Sequence, residues 1–187
     1  MNIIFHTNNL YIESAIHHLV STTVTDVTLS KLDHIILFND RSPSESLIML
    51  SEYSEFKLGE IILIVTDVVS PEIVARFIRQ KCELIVLSMQ SSLKEWLAAL
   101  IFSPEYRRKT IQCGVTHNPL LTNTEKRFLN GLSMAGTKQI VTKVLEMTAK
   151  EVSAYKRNVM RKLGIKHSQQ LLNYVNTDNI STVLTFL

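Results

Sequence analysis

The chain has 187 residues, 45% of them hydrophobic, which is enough for one large domain or two small ones. Its two cysteines, Cys82 and Cys113, exclude a disulfide framework, and no apolar run approaches the ~18 residues that a membrane span needs. Residues 1–104 hold seven Lys or Arg against twelve Asp or Glu, a net −5, whereas residues 105–187 hold thirteen against five, a net +8. These features predict a soluble, cytoplasmic chain in which only the second part meets a polyanion.

The first hundred residues alternate short apolar runs with helical patterns. We expect strands at 2–7, 34–39, 60–66 and 83–88, a weaker strand at 23–29, and helices at 10–21, 44–56, 71–81 and 92–102. Near-continuous Ile, Val and Leu strands that alternate with helices are typical of a parallel sheet covered on both faces. Residues 1–103 are therefore predicted to form an α/β, flavodoxin-like domain with the shape of a response-regulator receiver.

This predicted receiver lacks most of the chemistry that phosphorylation requires. A working receiver gathers carboxylates at its strand ends to hold Mg²⁺ and accept a phosphoryl group. Here residues 7–9 are Thr-Asn-Asn where an acidic pair would sit, and residues 88–90 contain no lysine. Asp40 is the one possible acceptor, and Thr66 takes the place of the switch residue. We interpret the domain as degenerate and phosphorylation-independent, with Asp40 as a plain loop residue.

Catalytic, cofactor-binding and metal sites are not expected. Gly59 is the one glycine in the first hundred residues, so no phosphate-binding loop is present, and no Ser-His-Asp or Cys-His grouping stands out. The enzyme hypothesis is therefore poor. Residues 104–119 contain two prolines, Gly114 and the basic triplet 107–109, and are predicted to be a linker. The triplet would either add phosphate contacts or stay solvated.

Residues 120–187 predict an all-α domain of four short helices. Thr122 with Glu125 starts the first, residues 137–146 form the second, residues 148–163 the third, and Ser168 caps the last. Two short helices joined by a tight turn, the second of them basic, are typical of a helix-turn-helix.

The third helix has one apolar face and one basic face. Val152, Tyr155, Val159 and Leu163 recur at helical spacing, whereas the opposite side carries Lys150, Ser153, Ala154, Arg157 and Arg161. Thr148 and Glu151 form a capping box at its start, and Gly164 can close its end. Such a helix fits the DNA major groove, and the alternative is a solvated amphipathic helix whose basic face has no role.

A set of residues from Leu121 to about Tyr174 resembles the LuxR-type (GerE-like) DNA-binding domain of bacterial transcription regulators. The matching residues are Leu121, Thr122, Glu125, Leu129, Val141, Leu145, Thr148, Val152, Tyr155, Asn158, Val159, Lys162, Leu163 and Gly164. The chain departs from the family pattern at Thr124, at residues 151–153 and at Tyr155. These departures indicate a subgroup similar to the short enterobacterial auxiliary regulators RcsA, BglJ and GadE.

The expected function is sequence-specific binding of double-stranded DNA in transcription regulation. Base edges would be read by Ser153, Ala154 and Arg157, and phosphates contacted by Lys138, Lys150, Lys156, Asn158, Arg161 and Lys162. The resemblance implies a homodimer, or a heterodimer with an RcsB-like response regulator, and RNA polymerase is a candidate contact. Pairing would use the receiver-like domain or the last helix, whose Leu171, Leu172 and Val175 are either exposed for it or core. The alternative function is a protein-interaction module that modulates another regulator and hardly binds DNA.

Overall fold

The computed structural model describes residues 2–6, 10–23, 32–53, 55–114, 119–135, 142, 146–176 and 180–187. Within them, one sheet holds the strands β1 (Asn2–Phe5), β2 (His34–Leu37), β3 (Ile61–Val65), β4 (Glu83–Leu87) and β5 (Ile111–Gln112), in that spatial order. Strands β1 to β4 are parallel, and β5 runs antiparallel to β4. The predicted strand at 23–29 lies outside the described residues, except for Thr23, which ends a helix.

Helices cover both faces of the sheet, as the uninterrupted apolar strands predict. One face packs against α1 (Leu10–Thr23) and α4 (Leu93–Leu100), and the other against α2 (Pro43–Glu52) and α3 (Pro71–Phe77). Successive residues of β2 contribute to opposite faces: Ile35 belongs to the α1–α4 core and Ile36 to the α2–α3 core. The α/β receiver-like fold is thus confirmed.

The first part of the predicted linker is folded. Residues 104–119 begin with a one-turn helix, α5 (Pro104–Arg107), and continue into β5, with Tyr106 and Cys113 buried. Two of the three basic side chains have partners, since Arg107 donates to the Phe102 carbonyl at 3.1 Å and Lys109 pairs with Glu105 at 2.8 Å. The proline and glycine content favoured a linker. Composition could not reveal that β5 pairs with β4, because the paired residues are distant along the chain.

The second domain is all-α. Its described helices are α6 (Asn123–Ala135), α7 (Ala149–Lys162), α8 (Ser168–Val175) and α9 (Ile180–Phe186). Most of the helix predicted at 137–146 lies outside the described residues. Of its residues the structure describes Thr142, which is helical, and Glu146, which is in a turn. Two predictions are corrected. The last helix of the chain is α9, which was not expected, and the N-cap of α8 is His167 rather than Ser168.

The two domains pack against each other through α2 on one side and α8 and α9 on the other. The Ser44 hydroxyl donates to the Tyr174 carbonyl, and the ring of Phe77 stacks on Phe186 with centroids 4.6 Å apart. Leu171 and Val175 are at most 1% exposed in this arrangement, while Leu172 is half-buried. These side chains of α8 therefore belong to the core of the chain rather than to an open pairing surface. No described helix is long and apolar enough to cross a membrane.

Candidate nucleic-acid interface

Local signals set both ends of α7. Thr148 Oγ1 accepts from the Glu151 N–H at 3.3 Å, and Glu151 Oε2 accepts from the Thr148 N–H at 2.8 Å. The Thr148 hydroxyl also donates to Glu151 Oε2 at 2.7 Å, and this bond, together with the one from the Thr148 N–H, lowers the pKa of Glu151. At the other end Gly164 has φ 69°, and the Ile165 N–H reaches the Met160 carbonyl at 2.8 Å. The predicted capping box and the predicted terminating glycine are both confirmed.

One face of α7 anchors the helix in the domain. Val152 is 3% exposed, and Val159 and Leu163 are fully buried. Tyr155 is half-buried, with its ring stacked on Phe128 at a centroid distance of 6.3 Å. The predicted apolar face is therefore the buried face, although Tyr155 lies at its edge.

The opposite face of α7 is open and basic. Lys150, Arg157 and Arg161 are exposed, and helical geometry places them within about 40° of one another around the axis. Beside them, Asn158 is exposed, whereas Ser153, Ala154 and Lys156 are half-buried. The structure thus brings six of the predicted site residues together on the outer side of one helix. Lys156 is the exception, because it lies about 120° from Lys150 around the axis, next to buried Val152 and Leu163.

Ser153 also has a bond inside the helix. Its hydroxyl donates to the Ala149 carbonyl at 2.8 Å, one turn earlier. This bond holds the hydroxyl against the helix backbone.

Lys162 does not share that open face, and this corrects its predicted phosphate contact. Its ammonium binds Glu125 Oε2 of α6 at 2.7 Å, and the two side chains are 24% and 6% exposed. The same oxygen accepts the Thr122 N–H at 2.7 Å. Burial raises the pKa of Glu125, but the hydrogen bonds from Lys162 and Thr122 outweigh burial and lower it. The available signal was spacing, because Lys162 lies three residues after buried Val159 and seven after half-buried Tyr155, which places it beside the apolar face. Lys138, the remaining predicted contact, lies outside the described residues.

The turn before α7 is tight. Glu146 has a positive φ of 54°, and the Met147 N–H reaches the Thr142 carbonyl at 3.1 Å. A left-handed residue at this point reverses the chain within a few residues. The connection into α7 is therefore as short as a helix-turn-helix requires.

The receiver-like domain contains a second polar site, at the carboxyl ends of β2 and β3. Thr66 Oγ1 donates to Asp40 Oδ1 at 2.5 Å, and the Asp67 N–H donates to Asp40 Oδ2 at 2.9 Å. Asp67, which the sequence analysis missed, accepts from the Ser88 hydroxyl and from the Met89 N–H. Burial raises the pKa of Asp40, and its hydrogen bonds offset this only in part.

Asp40 is thus a bridge between two loops and not a plain loop residue. Its side chain joins the segment after β2 to the segment after β3. Among the described residues, no group of three or more His, Cys, Asp or Glu side chains could hold a metal ion.

Among the described residues, a receiver-like domain thus precedes an all-α domain whose helix α7 has an open basic face. Residues 119–175 match the family of bacterial regulatory proteins called the luxR family, so the second domain is a LuxR-type DNA-binding domain. No curated protein matches the chain.

Two solved structures share the fold over the whole chain. One is a complex of the two-component response regulator RcsB with DNA, with 19% identity, a TM-score of 0.53, and coverage of 96% of this chain and 99% of that chain. The other contains two RcsB dimers bound to two parallel DNAs, with 18% identity, a TM-score of 0.50 and the same coverage. At this level of identity the likeness concerns the fold.

Proposed function

We propose that this regulator binds duplex DNA sequence-specifically by placing α7 in the major groove. The observation that carries the proposal is the division of α7 into a buried apolar face and an open basic face. Buried Val152 and Val159 fix the rotation of the helix, so exposed Lys150, Arg157 and Arg161 point away from the domain. A cationic face of this kind complements the phosphates that line the groove.

The proposed contacts divide into two kinds. Arg157, with Ser153 and Ala154 beside it, would meet base edges, since an arginine can pair with the two acceptors of guanine. Phosphates would be contacted by Lys138, Lys150, Lys156, Asn158 and Arg161, without Lys162. Four neutralised phosphates correspond to a slope of roughly −3.6 for log affinity against log salt concentration.

The experiment that tests the proposal compares two exposed cations of α7. A preferred site is first selected from a random duplex library. Arg157→Ala should then cost ~1–3 kcal/mol on that site and relax its sequence preference. Lys150→Ala should weaken selected and random DNA alike and reduce the salt slope by about 1. Equal weakening of both DNAs by Arg157→Ala would refute the assignment of Arg157.

The proposal includes independence from phosphorylation. Residues 7–9 and 88–90 lack the acidic pair and the lysine that a receiver uses for phosphoryl transfer, and both oxygens of Asp40 already accept hydrogen bonds from Thr66 and Asp67. We therefore expect no incorporation of label from radioactive acetyl phosphate. Labelling that disappears in Asp40→Asn would contradict this part and favour a phosphorylated response regulator.

We further propose that the chain acts as a pair, because one such domain reads only a short half-site. The partner would be a second copy or an RcsB-like response regulator, in the cytoplasm, with RNA polymerase as a candidate contact. The RcsB structure with dimers on DNA supports pairing. Since Leu171 and Val175 are buried, the receiver-like domain is the favoured pairing surface. Gel shifts of the protein alone and with a response regulator would distinguish the two partners.

A second candidate function is modulation of another regulator with little DNA binding. It is favoured by the bond of the Ser153 hydroxyl to Ala149, which reduces what the open face offers to a base. In that case the protein alone would shift no DNA, including the best sequences of the library, whereas it would alter the shift that a partner produces.

A further inference from the structure

Two neighbouring loops of the receiver-like domain lie next to the DNA-binding domain. The loop after β2 leads into α2, where the Ser44 hydroxyl donates to the Tyr174 carbonyl of α8. The loop after β3 leads into α3 and contains Ser70, which lies beside the end of α7: a methyl group added to Gly164 would be 3.8 Å from Ser70 Cβ. The first loop is thus joined to α8 through the start of α2, and the second loop itself lies beside the end of α7.

Asp40 fastens these two loops together. It stands in the first loop, and its two carboxylate oxygens accept from Thr66 Oγ1 and from the Asp67 N–H in the second. The Thr66 hydroxyl oxygen also accepts from the Val68 N–H at 3.2 Å, which tightens the second loop. Asp67 extends the connection to the loop after β4 through the Ser88 hydroxyl and the Met89 N–H. A chain of hydrogen bonds therefore spans three consecutive loops at one edge of the sheet.

We propose that Asp40 and Thr66 are positioning residues, which hold the DNA-binding domain in one orientation by fastening the β2–α2 loop to the β3–α3 loop. The stacked rings of Phe77 and Phe186 and the buried side chains of α8 supply attraction between the domains. Apolar contact is non-directional, however, so it does not by itself select an angle. The hydrogen-bonded loops supply that direction, because their bonds require fixed geometry.

The consequence for DNA binding rests on the proposed function. If two chains pair through their receiver-like domains, the orientation of each DNA-binding domain sets the separation of the two α7 helices. A site with two half-sites needs both helices at a fixed spacing, whereas a single half-site needs one helix only. Loss of the Asp40 bridge should therefore harm binding to the full site much more than binding to the half-site.

The test uses the full chain with Asp40→Ala and Thr66→Val, and with Asp33→Ala as the matched control. Asp33 also bridges β2 to β3, because its Oδ2 accepts the Ile61 N–H at 2.8 Å, but it lies at the opposite edge of the sheet. Spin labels on cysteines placed at Leu58 and Met134, which are 80% and 79% exposed, report the distance between the domains. The native thiols of Cys82 and Cys113 are buried and leave these labels selective.

The expected result is a broader or shifted distance distribution in Asp40→Ala and in Thr66→Val, with Asp33→Ala like the parent. The ratio of full-site to half-site affinity should fall by at least ~10-fold in the first two variants and stay constant in the control. Thr66→Val keeps the shape of the side chain and removes the hydroxyl, so it tests the positioning role even if Asp40→Ala does not fold. Unchanged distances in the folded bridge variants would overturn the inference. Changed distances in a chain that binds no DNA would support the positioning role and refute the proposed function instead.

Discussion

The ion pair between Lys162 and Glu125 gives Lys162 a different role from its neighbour Arg161 in α7. Arg161 and Lys162 are adjacent cations, yet the first is exposed and the second binds the buried Glu125 carboxylate at 2.7 Å. Methionine at either position keeps most of the aliphatic length and removes the charge. We expect Lys162→Met to lower stability and Arg161→Met to weaken DNA binding.

The magnitude follows from the surroundings of Glu125. Removing one partner of a fully buried pair costs ~3–5 kcal/mol, because the other charge stays buried without compensation. Glu125 retains the Thr122 N–H at 2.7 Å, and Lys162 is 24% exposed, so the loss should be smaller. A hydrogen bond to a charged group contributes ~1.5–3 kcal/mol. For a chain of this size, that corresponds to a decrease in Tm of roughly 3–12 °C.

The pH dependence of the stability lost in Lys162→Met tests whether the ion pair with Glu125 is its cause. Because the pKa of Glu125 is lowered in the folded chain, its stabilisation is present above the unfolded-state pKa of about 4.3 and is lost as pH falls through the folded value. Urea unfolding of the parent and Lys162→Met should therefore differ most near neutral pH, and the difference should narrow below pH ~4.

DNA binding provides the complementary measurement. Arg161→Met should reduce the salt slope by about 1 with little change in unfolding, whereas Lys162→Met should leave the slope unchanged. If Lys162→Met reduced the slope and unfolded like the parent, the ammonium would be on DNA, and its assignment to the core of the domain would be wrong.

The remaining predictions concern buried backbone and buried thiols. Gly114→Ala should lower Tm more than Gly164→Ala. Both glycines have φ 69°, and at Gly164 the cost of alanine is mainly this left-handed backbone, ~1–2 kcal/mol. At Gly114 a Cβ would in addition lie 2.5 Å from the Gln80 carbonyl carbon. Equal losses would show that the backbone at Gln80 yields easily. Burial raises the pKa of Cys82 to about 11 and that of Cys113 to about 12, so neither thiol should react with a maleimide or disulfide reagent at neutral pH until urea unfolds the chain. Rapid labelling of the folded chain would contradict this.

The sequence by itself determined those features whose partners are close along the chain. The start of α7 depends on Thr148 and Glu151, three residues apart, and its end depends on the ability of Gly164 to adopt positive φ. The apolar strands β2 and β3 were equally predictable, because burial on both faces leaves an uninterrupted run of Ile, Leu and Val. The rotation of α7, with Val159 inward and Arg157 outward, followed from helical periodicity alone.

Only the tertiary structure decided the features that join distant residues. Lys162 meets Glu125 37 positions away, and Ser44 meets the Tyr174 carbonyl 130 positions away. Such contacts depend on which elements the fold brings side by side, and neither residue type nor local spacing encodes that choice. In the structure, Lys162 pairs with Glu125 inside its domain, and α2 packs against the inner side of α8. Asp40 joins two loops of the receiver-like domain. A side chain's role in this protein follows from its own spacing where its partner is local, and from the packing of whole elements where it is not.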